Sequence, residues 1–352
     1  MKKFLAVVVI AAMTLLGGSA FAYDVKVDDD TFAKIGTKAQ IKVASTMPDK
    51  GSDEIDVTLP NTRIYFAGQV TSLVKFGFNY DFGTASARAT DAFITLDFAK
   101  EIKVMTGIYR VAFSRIALQD SYQYILVNGP EVPNSVAPVS SGLGTYRNAG
   151  VSAWGDLVGG KLRYNVGVWD DEYSPAGAAV SDDKYMLSAR VAFNFLDPEP
   201  GYTCAGCYLG KTKVASVGLG YLQQDYRAGA DTKTATALTV DAFLELNGIT
   251  AEAAYFMADD DSGTTGDKPS GVYVEGAYAI DNKIQPALRF ETFDSDGDTT
   301  DYDKVTVGVN YLFDGQNAKV GLEYATKDFD KDLAAGGGTD TDTLSIQLQV
   351  QF

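Results

Sequence analysis

The final strand-length segment, residues 341–352, constrains the fold most tightly. Leu344, Ile346, Leu348, Val350 and Phe352 are apolar, and Ser345, Gln347, Gln349 and Gln351 between them are polar. A period of two puts one kind of side chain on each face of an extended strand. The rhythm recurs. Val74, Phe76, Phe78, Tyr80 and Phe82 alternate with Lys75, Gly77, Asn79 and Asp81, and Val305, Val307, Val309, Tyr311 and Phe313 alternate with Lys304, Thr306 and Asn310. A strand with one greasy and one wet face suits either a sandwich or a barrel wall in lipid. Aromatics gather near segment ends, as girdles at two membrane interfaces require.

Counting decides between them. Alternation predicts sixteen strands, at about 33–46, 57–69, 72–82, 89–98, 102–111, 145–155, 160–170, 183–195, 211–226, 233–246, 249–259, 270–280, 283–294, 301–313, 317–328 and 341–352. Tight turns at Val70-Thr71, Ala99-Lys100-Glu101, Asn247-Gly248, Asp281-Asn282 and Asp314-Gly315 alternate with longer polar loops near 47–56, 171–182, 260–269, 295–300 and 329–340. Short turns on one side and long loops on the other are a membrane barrel's requirement, and a soluble sandwich has no reason to sort loops by parity. Both termini fall on the short-turn side, so the strand number is even. Residues 196–210 break the pattern by being long on that side. Residues 112–144 form the longest connection, and a structureless loop of that length usually has a task. Reading 120–128 as another strand would give seventeen and break the parity, so the expectation is an inserted loop.

Residues 1–22 read as a secretory signal: Lys2 and Lys3, an apolar run from Phe4 to Leu16, then Ser19-Ala20-Phe21-Ala22 as a small-x-small cleavage site. Residues 23–352 then form one domain, because no linker divides them. Removing Lys2 and Lys3 leaves 28 basic against 46 acidic residues, a net charge of −18. That balance argues against nucleic-acid partners. The chain has no His, which excludes a Ser-His-Asp triad, a Cys-His dyad and any imidazole metal site. The reading is a non-enzyme without cofactor or metal. The acidic run Asp294, Asp296, Asp298 lacks the spacing of a calcium loop and reads as a solvated outer loop.

Residues 63–128 resemble the phosphate-selective porin O and P family. The features are Arg63-Ile64-Tyr65-Phe66-Ala67-Gly68, Phe76-Gly77-Phe78-Asn79-Tyr80-Asp81-Phe82, Asp91-Ala92-Phe93-Ile94 and Gly107-Ile108-Tyr109-Arg110-Val111-Ala112-Phe113-Ser114-Arg115, with Ser121 shortly after. Ala112 stands where the family usually has Pro. The terminal Phe352 resembles the sorting signal of bacterial outer-membrane proteins. The resemblance implies an all-β, sixteen-stranded antiparallel transmembrane barrel, trimeric, with the loop at 112–144 folded into the lumen and basic residues at an anion-selective constriction. Its function would be a water-filled channel for small hydrophilic solutes, anions such as phosphate among them. Outer-membrane lipid and lipopolysaccharide would be its surroundings.

Strand parity and loop position nominate Arg63, Lys75, Lys103, Arg110, Arg115, Lys161, Arg163 and Arg190 as the basic residues lining the pore. Basic candidates dominate the strands before residue 200 and acidic ones those after, which suggests a field across the lumen. Arg115 has two readings: it faces the constriction and attracts oxyanions, or it pins the loop to the wall, with Asp120 as a local partner. Cys204 and Cys207 lie in the long turn-side connection, where an oxidising compartment favours a disulfide. That odd connection also leaves open another function, a scaffold barrel that docks a periplasmic partner.

Overall fold

The computed structural model describes residues 23–28, 30–83, 87–136, 147–170, 185–228, 231–259, 268–296, 300–331 and 338–352. The expected signal at 1–22, the end of the long loop and most of the expected loops at 171–182 and 260–269 lie outside the described residues.

Sixteen strands form the wall: β2 (Phe32–Pro48), β3 (Glu54–Gln69), β4 (Val74–Asp81), β5 (Arg88–Ala99), β6 (Ile102–Arg110), β7 (Arg147–Leu157), β8 (Leu162–Asp170), β9 (Tyr185–Asn194), β10 (Val214–Ala228), β11 (Asp231–Leu246), β12 (Ile249–Asp259), β13 (Ser270–Tyr278), β14 (Ile284–Asp294), β15 (Tyr302–Asp314), β16 (Ala318–Phe329) and β17 (Thr341–Gln351). Each pairs antiparallel with the next, and β17 pairs with β2, Leu348 opposite Ile41 and Gln347 opposite Lys42. The sheet is thereby closed. Closure matters because an unpaired backbone group facing hydrocarbon costs several kcal/mol. The alternation in 341–352 is therefore one wall of a closed barrel.

The two faces are the inverse of a soluble protein. Along β15, Val305, Val307, Val309 and Tyr311 are exposed, whereas Thr306 and Asn310 are buried inward. Gln40, Glu245, Gln285, Glu291 and Gln349 are all within 2% of complete burial. Apolar outside and polar inside makes sense only if the outside solvent is lipid. Rings meet at strand ends, half-buried Tyr80 tilted against exposed Phe82 at the loop end and exposed Tyr311 edge-on to Phe313 at the turn end, each pair 4.9 Å apart.

The tight turns follow from residue type. Asn247-Gly248 and Asp281-Asn282 hold positive φ throughout, at 52° and 83° and at 50° and 52°. This is the twist that two-residue hairpins favour, and Asn, Asp and Gly tolerate it best. A short strand that alternation did not reveal, β1 (Tyr23–Lys26), pairs with residues 32–35 of β2. It occupies the rim where β17 stops, for Phe352 already exchanges backbone hydrogen bonds with Thr37. Residues 120–128 are not a strand; they contain only a single 3-10 turn, Ser121–Gln123.

Candidate constriction

The connection after β6 runs across the inward-facing side chains of the wall. One helical turn, Arg115–Leu118, is capped by Ser114, whose hydroxyl accepts from the Ala117 N–H. The loop then crosses the later strands. Asn310 donates to Ile125 O, Lys319 to Tyr124 O and Arg289 to Asn128 O, while Glu323 accepts from both the backbone and the side-chain amide of Asn128. A second turn, Val132–Ser135, begins at Glu131, which takes ion pairs from Lys304 and Lys327. Small residues on the wall receive this loop. A side chain at Gly308 would collide with Leu126, and one at Gly220 with the carbonyl of Phe113.

The loop thus fills the side of the barrel formed by β11–β17. Open space remains beside β3–β7. A cavity of 340 Å³ is lined there by Lys38, Tyr65, Asn79, Asp91, Thr95, Tyr109, Arg110, Asp120, Arg147, Trp154, Tyr202 and Thr203. Lys38 pairs with Asp120 at 2.6 Å, and Arg147 with Asp91 at 2.8 Å. Lys38 also sits over the rings of Tyr65 and Tyr122, 5.5 and 5.0 Å from their centroids. Burial pushes the Asp120 carboxyl up, but Lys38, Arg110 and Arg63 together hold it far below the usual carboxylate range. Arg110 donates to the Ala117 carbonyl at 2.9 Å. Three cations (Lys38, Arg110, Arg147) against two carboxylates (Asp91, Asp120) leave this lining one positive charge in excess.

Residues 210–352 match the family model "Phosphate-selective porin O and P". This carboxy-terminal part is similar to that family. The match covers β10–β17, not the stretch 63–128 in which the resemblance was read, although the family is the same. The anion-selective porin from Comamonas acidovorans superposes with a TM-score of 0.68 at 16% identity, over 92% of this chain and 100% of that one. The outer membrane channel DcaP of Acinetobacter baumannii gives 0.64 at 14%, over 95% and 100%. OmpT of Vibrio cholerae, as a trimer folded in vitro, gives 0.60 at 12%, over 91% and 99%. An uncharacterized protein of Aquifex aeolicus is 27% identical over 288 residues, 74% of this chain and 66% of that protein, so the alignment spans just under two thirds of that relative. The chain has the outer-membrane porin fold.

Among the eight cations nominated from the sequence, only Arg110 lines this cavity. Arg63 is buried against Asp81 at 2.9 Å, and Lys75 and Lys103 share Asp97. Arg163 pairs with Asp156 at 2.7 Å, and Arg190 grips both carboxylate oxygens of Asp241 at 2.6 and 2.7 Å. Lys161 is exposed in the β7–β8 turn rather than on the wall. Arg115 does not face open space. Its guanidinium is 1% exposed, pairs with Glu199 at 2.5 Å and Glu252 at 3.0 Å, and lies 3.6 Å from the Phe243 ring centroid. Its partners are these two and not Asp120, which is taken by Lys38. The acidic second half is likewise paired locally, Glu275 and Glu291 with Arg289, so the field across the lumen is weaker than composition suggests.

The disulfide expected between Cys204 and Cys207 is not formed; both are free. The two thiols are held apart by different partners. Cys204 bridges to the inserted loop at Gln119, while Cys207 Sγ sits 3.2 Å from both Thr250 Oγ1 and Gln285 Nε2. Arg147 and Lys38 are the cavity cations outside the eight singled out, although parity already makes Lys38 a lumen candidate. Arg147 was missed because strict alternation from Ser152 and Trp154 puts position 147 on the outer face, whereas at the strand's end it lies opposite the buried Arg110 and pairs with Asp91. Lys38 does sit on the inward parity, and its weight came from Asp120, which no strand rhythm locates.

Proposed function

We propose that this chain is a diffusion channel for small hydrophilic solutes, with a weak preference for anions. The observation that carries the reading is the aqueous cavity beside β3–β7, walled by charged side chains and bounded by the inserted loop. Fixed charge in a narrow wet passage sorts ions by sign. Here the excess is a single positive charge and both carboxylates are engaged by cations, so the preference is modest. The structurally similar porin of Comamonas acidovorans is anion-selective, which points in the same direction. Assembly as a homotrimer, and contact of the acidic loop tips with lipopolysaccharide through divalent cations, belong to the same reading. So does the absence of a catalytic role.

Planar bilayers test it. Steady single-channel steps with a reversal potential of anionic sign in a salt gradient are expected. A silent bilayer overturns the channel and supports a scaffold barrel that docks a periplasmic partner. Clear cation preference overturns the selectivity while leaving the channel.

A further inference from the structure

The connection between β9 and β10, residues 195–213, does not run over the rim as the other short-side turns do. It folds into the barrel. The Cys204 N–H donates to Leu118 O at 3.1 Å, and Cys204 forms a parallel bridge with Gln119, so this segment adds itself to the inserted loop. The Tyr202 hydroxyl donates to Arg110 O at 2.7 Å, and its ring meets those of Tyr109 and Trp154 edge-on, at 5.8 and 5.6 Å. Arg163 donates to the carbonyls of Gly201 and Glu199, and Gly210 N–H donates to Glu245 at 2.8 Å. Glu199 accepts the Arg115 ion pair. The segment is therefore tied to β6, β8, β11 and the inserted loop at once.

Its position is what gives this consequence. The cavity beside β3–β7 ends on Tyr202 and Thr203. A second cavity of 540 Å³ opens at the turn end, lined by Gln123, Thr203, Cys204, Lys211, Asn282, Asp314, Gln316, Asn317 and Gln351 among others. Thr203 lines both. The two lumenal spaces thus meet at a single short stretch of backbone, with a small hydroxyl side chain between them. The upper space is charged. The lower carries five side-chain amides and one charge of each sign, Lys211 and Asp314.

We propose that residues 195–213 form a second constriction in series with the inserted loop, and that Thr203 sets its bore. Solutes are sorted by charge in the upper cavity and by size at Thr203. The inference rests on the channel reading above. It makes Thr203 a specificity-determining residue: enlarging it lowers flux without changing ion sign preference.

Full-length protein in planar bilayers provides the test, with Thr203→Trp and, separately, Thr203→Cys in a Cys204→Ser, Cys207→Ser background. For a narrow wet passage, Thr203→Trp is expected to cut conductance at least about twofold with an unchanged reversal potential. A charged, membrane-impermeant methanethiosulfonate added on the turn side should block Thr203→Cys and leave its Cys-free parent unaffected. The second variant keeps a small side chain, so it remains informative if the tryptophan protein fails to fold. Conducting channels whose current is untouched by both changes would overturn the proposal and leave the channel reading standing. Silence of the unmodified protein would instead remove the channel reading.

Discussion

Replacing Arg115 by Ala should release the inserted loop from the wall. The side chain is 1% exposed and touches two carboxylates, Glu199 at 2.5 Å and Glu252 at 3.0 Å. At about 3 Å and an effective dielectric constant of about 20, each contact is worth about 5 kcal/mol before desolvation. Desolvation of three charges cancels most of that, but deleting the cation leaves two anions buried together. Breaking a buried pair in this way typically costs about 3–5 kcal/mol. At about 1.4 kcal/mol per tenfold, the seated loop loses roughly a hundred- to four-thousand-fold in its equilibrium against displaced forms. The assay is single-channel recording, with the heat-induced mobility shift of the folded barrel on gels as a stability readout. Arg115→Ala should show larger or fluctuating conductance and a lower transition temperature. Adding Glu199→Gln and Glu252→Gln should recover much of both, because no uncompensated charge then remains. An Arg115→Ala channel matching the unmodified protein in steps, noise and thermal shift would refute the reasoning.

Gly308→Leu and Gly220→Val should each displace the loop locally, since Leu126 and the Phe113 carbonyl occupy the space a side chain needs; protease nicking between residues 115 and 136 of the folded protein would rise, and unchanged resistance would contradict this. Acid should loosen the loop as well: burial pushes the Glu131 carboxyl up, yet Lys304 and Lys327 hold it below its ordinary value of 4.5. That depressed value stabilises the seat fully above about pH 5 and is lost as pH falls through the folded value, so channel noise should rise only below about pH 4.5, and Glu131→Gln should show that noise already at neutral pH. Burial pushes the Cys204 thiol up to about 12 and raises that of Cys207, so neither is an available thiolate at neutral pH. Alkylation without reductant should therefore add two labels after unfolding and none before; no label after unfolding would show a disulfide.

The wall was legible in the sequence because lipid outside and water inside impose opposite demands on alternate residues. Leu344 to Phe352 shows this with no exceptions, and all sixteen strands follow from the same rule. The site was less legible. Alternation says that Arg63, Arg163 and Arg190 point inward, but not that Asp81 and Asp156 stand opposite the first two in register or that Asp241 meets Arg190 from two strands away. Arg115 is the plainest case, because its partners, Glu199 and Glu252, are 84 and 137 residues away in sequence. The inward fold of residues 195–213 leaves only a length signal: a connection too long for the short-turn side.

Collision measurements on spin labels in the reconstituted barrel test the central claim most directly. Labels at Val307 and Val309, on the exposed face, should be relaxed by oxygen dissolved in the bilayer. Labels at Asn79 and Thr95, which line the cavity, should be relaxed by a water-soluble nickel chelate. Oxygen dominating at all four positions, or the chelate reaching Val307 and Val309, would contradict a barrel with hydrocarbon outside and water within.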